Sequence, residues 1–286
     1  MAQEREIATR IVSLRELLEI VAAIRALAAS QMQQALHSLE AIHHYSELVR
    51  GALFDAAEIL PADGIAPTEA NVSRFGLIVF CAEHGLCGGF NDQPLRVAEQ
   101  ILADKQRDLL LIVVGTRGGQ ISRERGLKPE LMLPMPTHWA GVTSTARRLA
   151  TEVYGFLSDG RISGLEAVFA RYASAGTRRI EHLRILPFEA PAVERQSTKL
   201  APLVNVAPRH LFDDIAGEYM FAALENAAMQ SFFSESLMRF RTMEAAHQNI
   251  ENKTEELTKL ARRLRQESVT TEILDLISGA QALASY

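Results

Sequence analysis

Apolar or small residues recur along the first part of the chain in alternating steps of four and three. The series runs Ile7, Ile11, Leu14, Leu18, Val21, then Ala28, Met32, Ala35, Leu39, Ile42, and later Val49 and Leu53. Only Arg25 and Ser46 interrupt it, and residues 1–50 contain neither glycine nor proline. A stripe held over so many heptads predicts a coiled-coil seam rather than an ordinary surface helix. About 50 residues at ~1.5 Å each give a rod of roughly 75 Å. A second uninterrupted stretch lies at the other end, with neither glycine nor proline between Gly217 and Gly279. Its stripe includes Leu224, Phe232, Phe240, Met243, Ala246, Ile250, Leu257, Leu260, Leu264, Ile273, Leu276 and Ile277. Glu255 and Lys259 are spaced for an i,i+4 ion pair, which adds a few tenths of a kcal/mol.

The simplest way to bury both stripes is to wind the two flanks around each other, antiparallel, with a compact domain between them. Residues 7–42 are then expected to face the C-terminal half of the second helix. A helical bundle folded back on itself is the alternative, though no turn signal falls within either flank. The expected divisions are an N-terminal coiled-coil helix over 1–60, a central α/β domain with its linkers over 61–208, and a C-terminal coiled-coil helix over 209–286.

The centre alternates between patterns. Residues 75–82, FGLIVFCA, read as a buried strand, 91–105 as a helix, and 109–115 as a second buried strand. A helix over 143–157 follows, then strands at 167–174 and 178–188. Strands alternating with helices imply a mostly parallel sheet covered on both faces. Residues 61–72 read as the linker in, and 196–210 as the linker out.

Composition narrows the function. The chain has 286 residues with a formal net charge of −5, 48% hydrophobic and 23% charged residues. That is an ordinary globular balance, with no basic excess to suggest nucleic acid. No apolar run approaches the ~18–20 residues a bilayer needs, so no direct membrane insertion is expected. The N-terminus MAQEREIATR lacks the apolar stretch of a signal peptide. Two cysteines, Cys81 and Cys87, suit a reducing compartment, and the eight histidines show no metal-ligand spacing.

One segment invites a chemical reading. AEHGLCGGFND, residues 82–92, follows the first strand and precedes a helix, as phosphate-binding loops do. Neither G-x-x-x-x-G-K-S/T nor G-x-G-x-x-G is present. Asn91 is expected to cap the helix, and the Asp92 carboxylate to fill the electrostatic niche a phosphate would want. Gly85, Gly88 and Gly89 are then structural, permitting positive φ and close backbone packing. Cys87 reads as a buried structural thiol.

Three segments carry a family resemblance. HGLCGGFN resembles the D-R-G-L-C-G-G-L-N signature of the gamma subunit of F-type ATP synthases. RQESVTTEILDLISGAQAL is similar to that family's R-Q-A-x-I-T-x-E-I-x-E-I-V-x-G-A-x-A. IATRIVSLRELLEIVAAIRALAASQM matches the family's N-terminal pattern in spacing and partly in identity. Together with the periodicity, the resemblance implies an α/β fold: two long terminal helices forming an antiparallel coiled coil around a central Rossmann-like domain with a mostly parallel sheet.

The function it implies is that of a non-catalytic rotor. The coiled coil would turn inside the ring of alpha and beta subunits, and the globular part would meet the epsilon subunit and the membrane c-ring. No cofactor is implied, because the nucleotide sites belong to other chains. The implied place is peripheral, on the cytoplasmic face of the inner membrane of a prokaryote. The carried-over contacts to a loop of the catalytic subunits are Arg239, Gln266 and Thr270. As polar residues on a coiled coil, each is expected to cost the fold within roughly 0.5 kcal/mol on replacement by alanine. The apolar C-terminal stretch is expected to overhang its partner helix. The chain departs from the family where lysines are usual: Glu19, Gln31 and Glu244 stand there. The alternative function is a nucleotide-binding regulator with a coiled-coil dimerisation arm.

Overall fold

The computed structural model describes residues 2–60, 74–104, 108–172, 178–188 and 204–284. The expected linker at 61–72, most of that at 196–210, the helix end at Lys105 and the Leu276 side chain lie outside the described set. The elements in chain order are α1 (Ala2–Ile59), β1 (Phe75–Phe80), α2 (Asp92–Leu102), β2 (Leu109–Val114), α3 (Thr116–Glu124), β3 (Leu131–Leu133), α4 (Val142–Ser158), β4 (Gly164–Tyr172), β5 (Arg178–Leu186) and α5 (Pro208–Ala284). Two compact units emerge: Met1–Ala28 with Phe240–Tyr286, and Ala29–Arg239.

In the first unit, segments of α1 and α5 pack along the expected stripes. Ile7, Val21 and Ala28 are buried on one side and Met243 on the other. Ile11, Leu14, Leu18, Ala246, Ile250, Leu257 and Leu264 are half-buried. Leu260, expected in the seam, is 41% exposed and falls outside it. Arg25, which breaks the apolar series, reaches across to the Glu244 carboxylate at 3.0 Å. The Glu255–Lys259 pair forms at 2.6 Å. Beyond it Val269, Ile273 and Ile277 are 48 to 50% exposed, as an overhanging apolar end requires.

The second unit is built on a five-stranded sheet in the order β3-β2-β1-β4-β5. β1 pairs in parallel with β2 and β4, β2 pairs in parallel with β3, and β5 closes one edge antiparallel to β4. The mostly parallel expectation holds. β1 and β2 are continuous apolar runs because both of their faces are covered. One face packs on α1, α4 and α5, through Leu53, Ile78, Phe80, Leu149, Phe169, Leu224 and Phe232 among others. The opposite face packs on α2 and α3, through Leu77, Val79, Leu95 and Ala98.

Two expectations need correction. Residues 35–53 of α1 share their core with 215–237 of α5, its N-terminal half. Only the part of α1 in the first unit faces the C-terminal half. α3 and β3 were also missing from the sequence reading, because TRGGQISRE carries two glycines in a row and reads as a turn. Their reason is proximity. A Cβ at Gly118 would stand 2.0 Å from the Cys81 Cβ, and one at Gly119 would stand 2.0 Å from the Met132 methyl.

Candidate functional site

The glycine loop leaves β1 at the C-terminal end of the parallel strands, where α/β folds hold ligands. Its backbone is bolted to its neighbours. Cys81 N–H donates to the Val114 carbonyl at 2.7 Å, and Gly118 N–H donates to the Ala82 carbonyl at 3.2 Å. Asn91 does not cap α2 as expected. It sits in helical geometry with no side-chain cap bond. Its Oδ1 instead accepts the Ala82 N–H at 2.8 Å, drawing the two ends of the loop together. Gly88 takes φ +56°, as expected of a structural glycine, and so does its non-glycine neighbour Leu86 at +63°. Gly85 and Gly89 do not take positive φ among the described residues. Gly85 faces open space, and Gly89 lies beside the Asp92 carboxylate.

Asp92 lies in the first turn of α2, as expected, and Glu83 fills the N-terminus of the neighbouring helix α3. The Glu83 carboxylate accepts the Thr116 N–H at 2.9 Å, the Thr116 hydroxyl at 2.7 Å and the Met135 N–H at 2.8 Å. It thus sits on the N-terminus of α3, where the helix dipole favours negative charge. A phosphate at that position would meet a fixed carboxylate. Asp92, in the first turn of α2, also pairs with Arg125. Both thiols are buried. Burial pushes the Cys81 thiol well above its ordinary range, which suits an inert structural role.

The loop also anchors α5. Ala82, Cys87, Phe90 and Ala170 form a small apolar cluster with Met238 against it. The Ser234 hydroxyl donates to the Ala170 carbonyl at 3.1 Å. One turn of helix carries Glu235 and Arg239, which are paired with side-chain exposures of 5% and 14%. Burial pushes the Glu235 carboxyl up to about 7, against the pull of Arg239 and of a hydrogen bond from the Glu83 backbone. Arg239 is therefore not the free surface cation the sequence suggested, because its guanidinium already has a carboxylate within the chain. The sequence pattern does not single out Glu83 or Glu235 as site residues. The available signal was a glutamate four residues before Arg239 inside the apolar run SFFSESLMRF.

Gln266 and Thr270 belong to the first unit and are exposed. The Thr270 hydroxyl donates to the Gln266 backbone carbonyl at 2.8 Å, one turn back. At the positions where lysine is usual in the resembled family, two of the substitutes have other work. Gln31 is buried and donates to the Thr137 carbonyl at 2.8 Å, and Glu244 holds Arg25. Glu19 is exposed.

Comparison with known proteins gives a consistent result. The sequence model of one protein family, described as ATP synthase, matches residues 3–283. The ATP synthase gamma chain of Desulfitobacterium hafniense is 27% identical over 290 residues, covering 99% of this chain and 100% of its own. That of Ruminococcus albus is 27% identical over 284 residues, covering 98% of each. Among solved structures, a chain from the rotor of the Euglena gracilis mitochondrial ATP synthase matches with a TM-score of 0.68 at 14% identity, covering 94% of this chain and 99% of that one. A chain from the Tetrahymena thermophila mitochondrial ATP synthase central stalk and c-ring matches at 0.57 and 20% identity, covering 79% and 99%. At those identities the structures speak for the fold.

Proposed function

We propose a function from one premise: this chain belongs to the ATP synthase family. It is a gamma-type subunit, the central-stalk rotor of an F-type ATP synthase. It couples ion movement through the membrane ring to ATP synthesis or hydrolysis in the alpha/beta ring, and it is itself non-catalytic. The observation that carries this is the family match over residues 3–283, across the two long terminal helices and the α/β domain between them. A single asymmetric shaft presents a different face to each surrounding site. Each site's conformational equilibrium then shifts by the difference in contact energy. The partners are the alpha and beta subunits, the epsilon subunit and the c-ring.

The subunit is peripheral to the membrane, and no described helix is long and apolar enough to cross one. We place it on the cytoplasmic face of a prokaryotic inner membrane, which the bacterial source of the curated relatives supports. Gln266 and Thr270, exposed on α5, are proposed to hydrogen-bond a loop of the catalytic subunits. Arg239 would join them through whatever donor capacity Glu235 leaves. The nucleotide-regulator alternative is disfavoured by Glu83, whose carboxylate occupies the α3 N-terminus.

Co-expression with the alpha and beta subunits of the same source tests the proposal. The expected result is a stable complex whose ATP hydrolysis drives rotation of a probe attached to this chain. A chain that fails to join alpha and beta, or that hydrolyses ATP alone, would overturn it.

A further inference from the structure

We propose that a cleft in the second unit, between α1, the β4–β5 edge and α5, binds a small phosphate-bearing anion. The site lies away from the glycine loop and goes beyond the rotor reading, since nothing in shaft function calls for it. The cleft encloses about 430 Å³. Its floor carries an electrostatic conflict. Arg171 on β4 and Arg179 on β5 are directly opposite partners in the antiparallel ladder. Like charges so placed repel at Cβ separations of about 5 Å unless something negative lies between them. Arg50 of α1 adds a third guanidinium to the same cleft.

Two carboxylates answer part of this charge. Glu181 holds Arg171 at 2.9 Å and Glu47 holds Arg50. Among the described residues Arg179 has no ion-pair or hydrogen-bond partner, so one positive charge stands uncompensated. His182 is engaged by Glu166 at 2.8 Å and does not enter the count. Three guanidinium groups facing two carboxylates in one concave site match a ligand with an anionic head. The planar fork of arginine suits phosphate oxygens in particular.

Free phosphate and a phosphate ester share this chemistry, and titration separates them. The full-length chain would be titrated calorimetrically at low ionic strength with inorganic phosphate and, separately, with glycerol phosphate. Saturable binding is expected for at least one. Tighter binding of the ester identifies an ester site, and equal binding identifies the free ion. Arg179→Gln, at an exposed position, should weaken binding at least about tenfold while leaving the circular dichroism unchanged. Arg50→Gln on the opposite wall should weaken it as well. Absence of saturable binding by either ligand would overturn the proposal. So would binding that both variants leave intact.

Discussion

Replacing Arg239 with alanine should destabilise the isolated chain by about 2–4 kcal/mol, well beyond a surface substitution. The side chain is 14% exposed, and the Glu235 carboxylate it holds is 5% exposed. Removing one member of a buried pair typically costs about 3–5 kcal/mol, because the other charge stays behind without a partner. Two features soften the loss. The Glu83 backbone N–H still reaches Glu235, and that carboxyl, already pushed up to about 7, can take a proton instead of remaining charged. Urea unfolding followed by circular dichroism measures the effect. The double variant Glu235→Gln/Arg239→Ala supplies the control: with no buried charge left behind, it should be more stable than Arg239→Ala alone. If Arg239→Ala unfolds within about 0.5 kcal/mol of the parent chain, the buried-pair reasoning is wrong and Arg239 behaves as a surface residue.

The other predictions concern neighbouring features. Between about pH 4.5 and about 7 the native chain binds a proton at Glu235 that the unfolded chain releases, so this group's contribution to stability should fall as pH rises through that window. Glu235→Gln should flatten that part of the stability–pH curve, and an unchanged curve would contradict the assignment. Gly118→Ala should destabilise the chain by about 1–3 kcal/mol and so lower the unfolding midpoint, since the new Cβ would fall 2.0 Å from the Cys81 Cβ. Thermal denaturation of that variant provides the check. Glu244→Lys sets a like charge against Arg25, but the pair is 32% and 51% exposed, so the loss should stay within about 1 kcal/mol. Adding Arg25→Glu should reverse it in the same assay, and a failure to reverse would show that the two side chains do not interact.

The readable parts of the chain were those where one physical rule dominates. The α1 stripe survives in the structure because a seam needs the same face buried turn after turn, and even its two exceptions lie on that face. Arg25 is half-buried against Glu244, and Ser46 is 8% exposed. β1 and β2 were legible as unbroken apolar runs. α3 was not, because two glycines that usually break a helix are needed here to let Cys81 and Met132 approach. Asn91 departs from its expected capping role for a related reason. Its side chain can serve a helix end or a loop closure, and only the position of the Ala82 N–H decides between them. The depth of Arg239 was invisible because its burial comes from the loop and sheet packed against α5, residues far away in sequence.

The same long-range packing explains why the loop looks like a phosphate site without serving as one. A parallel sheet necessarily brings helix N-termini to the C-terminal ends of its strands, and their unsatisfied N–H groups need an acceptor. In a nucleotide-binding protein the ligand supplies it, so that end of the sheet must stay open. Here Glu83 supplies it from within the chain, with bonds of 2.7 to 2.9 Å to Thr116 and Met135. The end of the sheet can then close against α5 through Phe90, Met238 and Ser234. Internal satisfaction turns a fold suited to reversible ligand binding into a rigid mount for a long helix. Torque transmitted by a shaft requires that rigidity, because a mount that loosened with each ligand exchange would lose rotation as local unfolding.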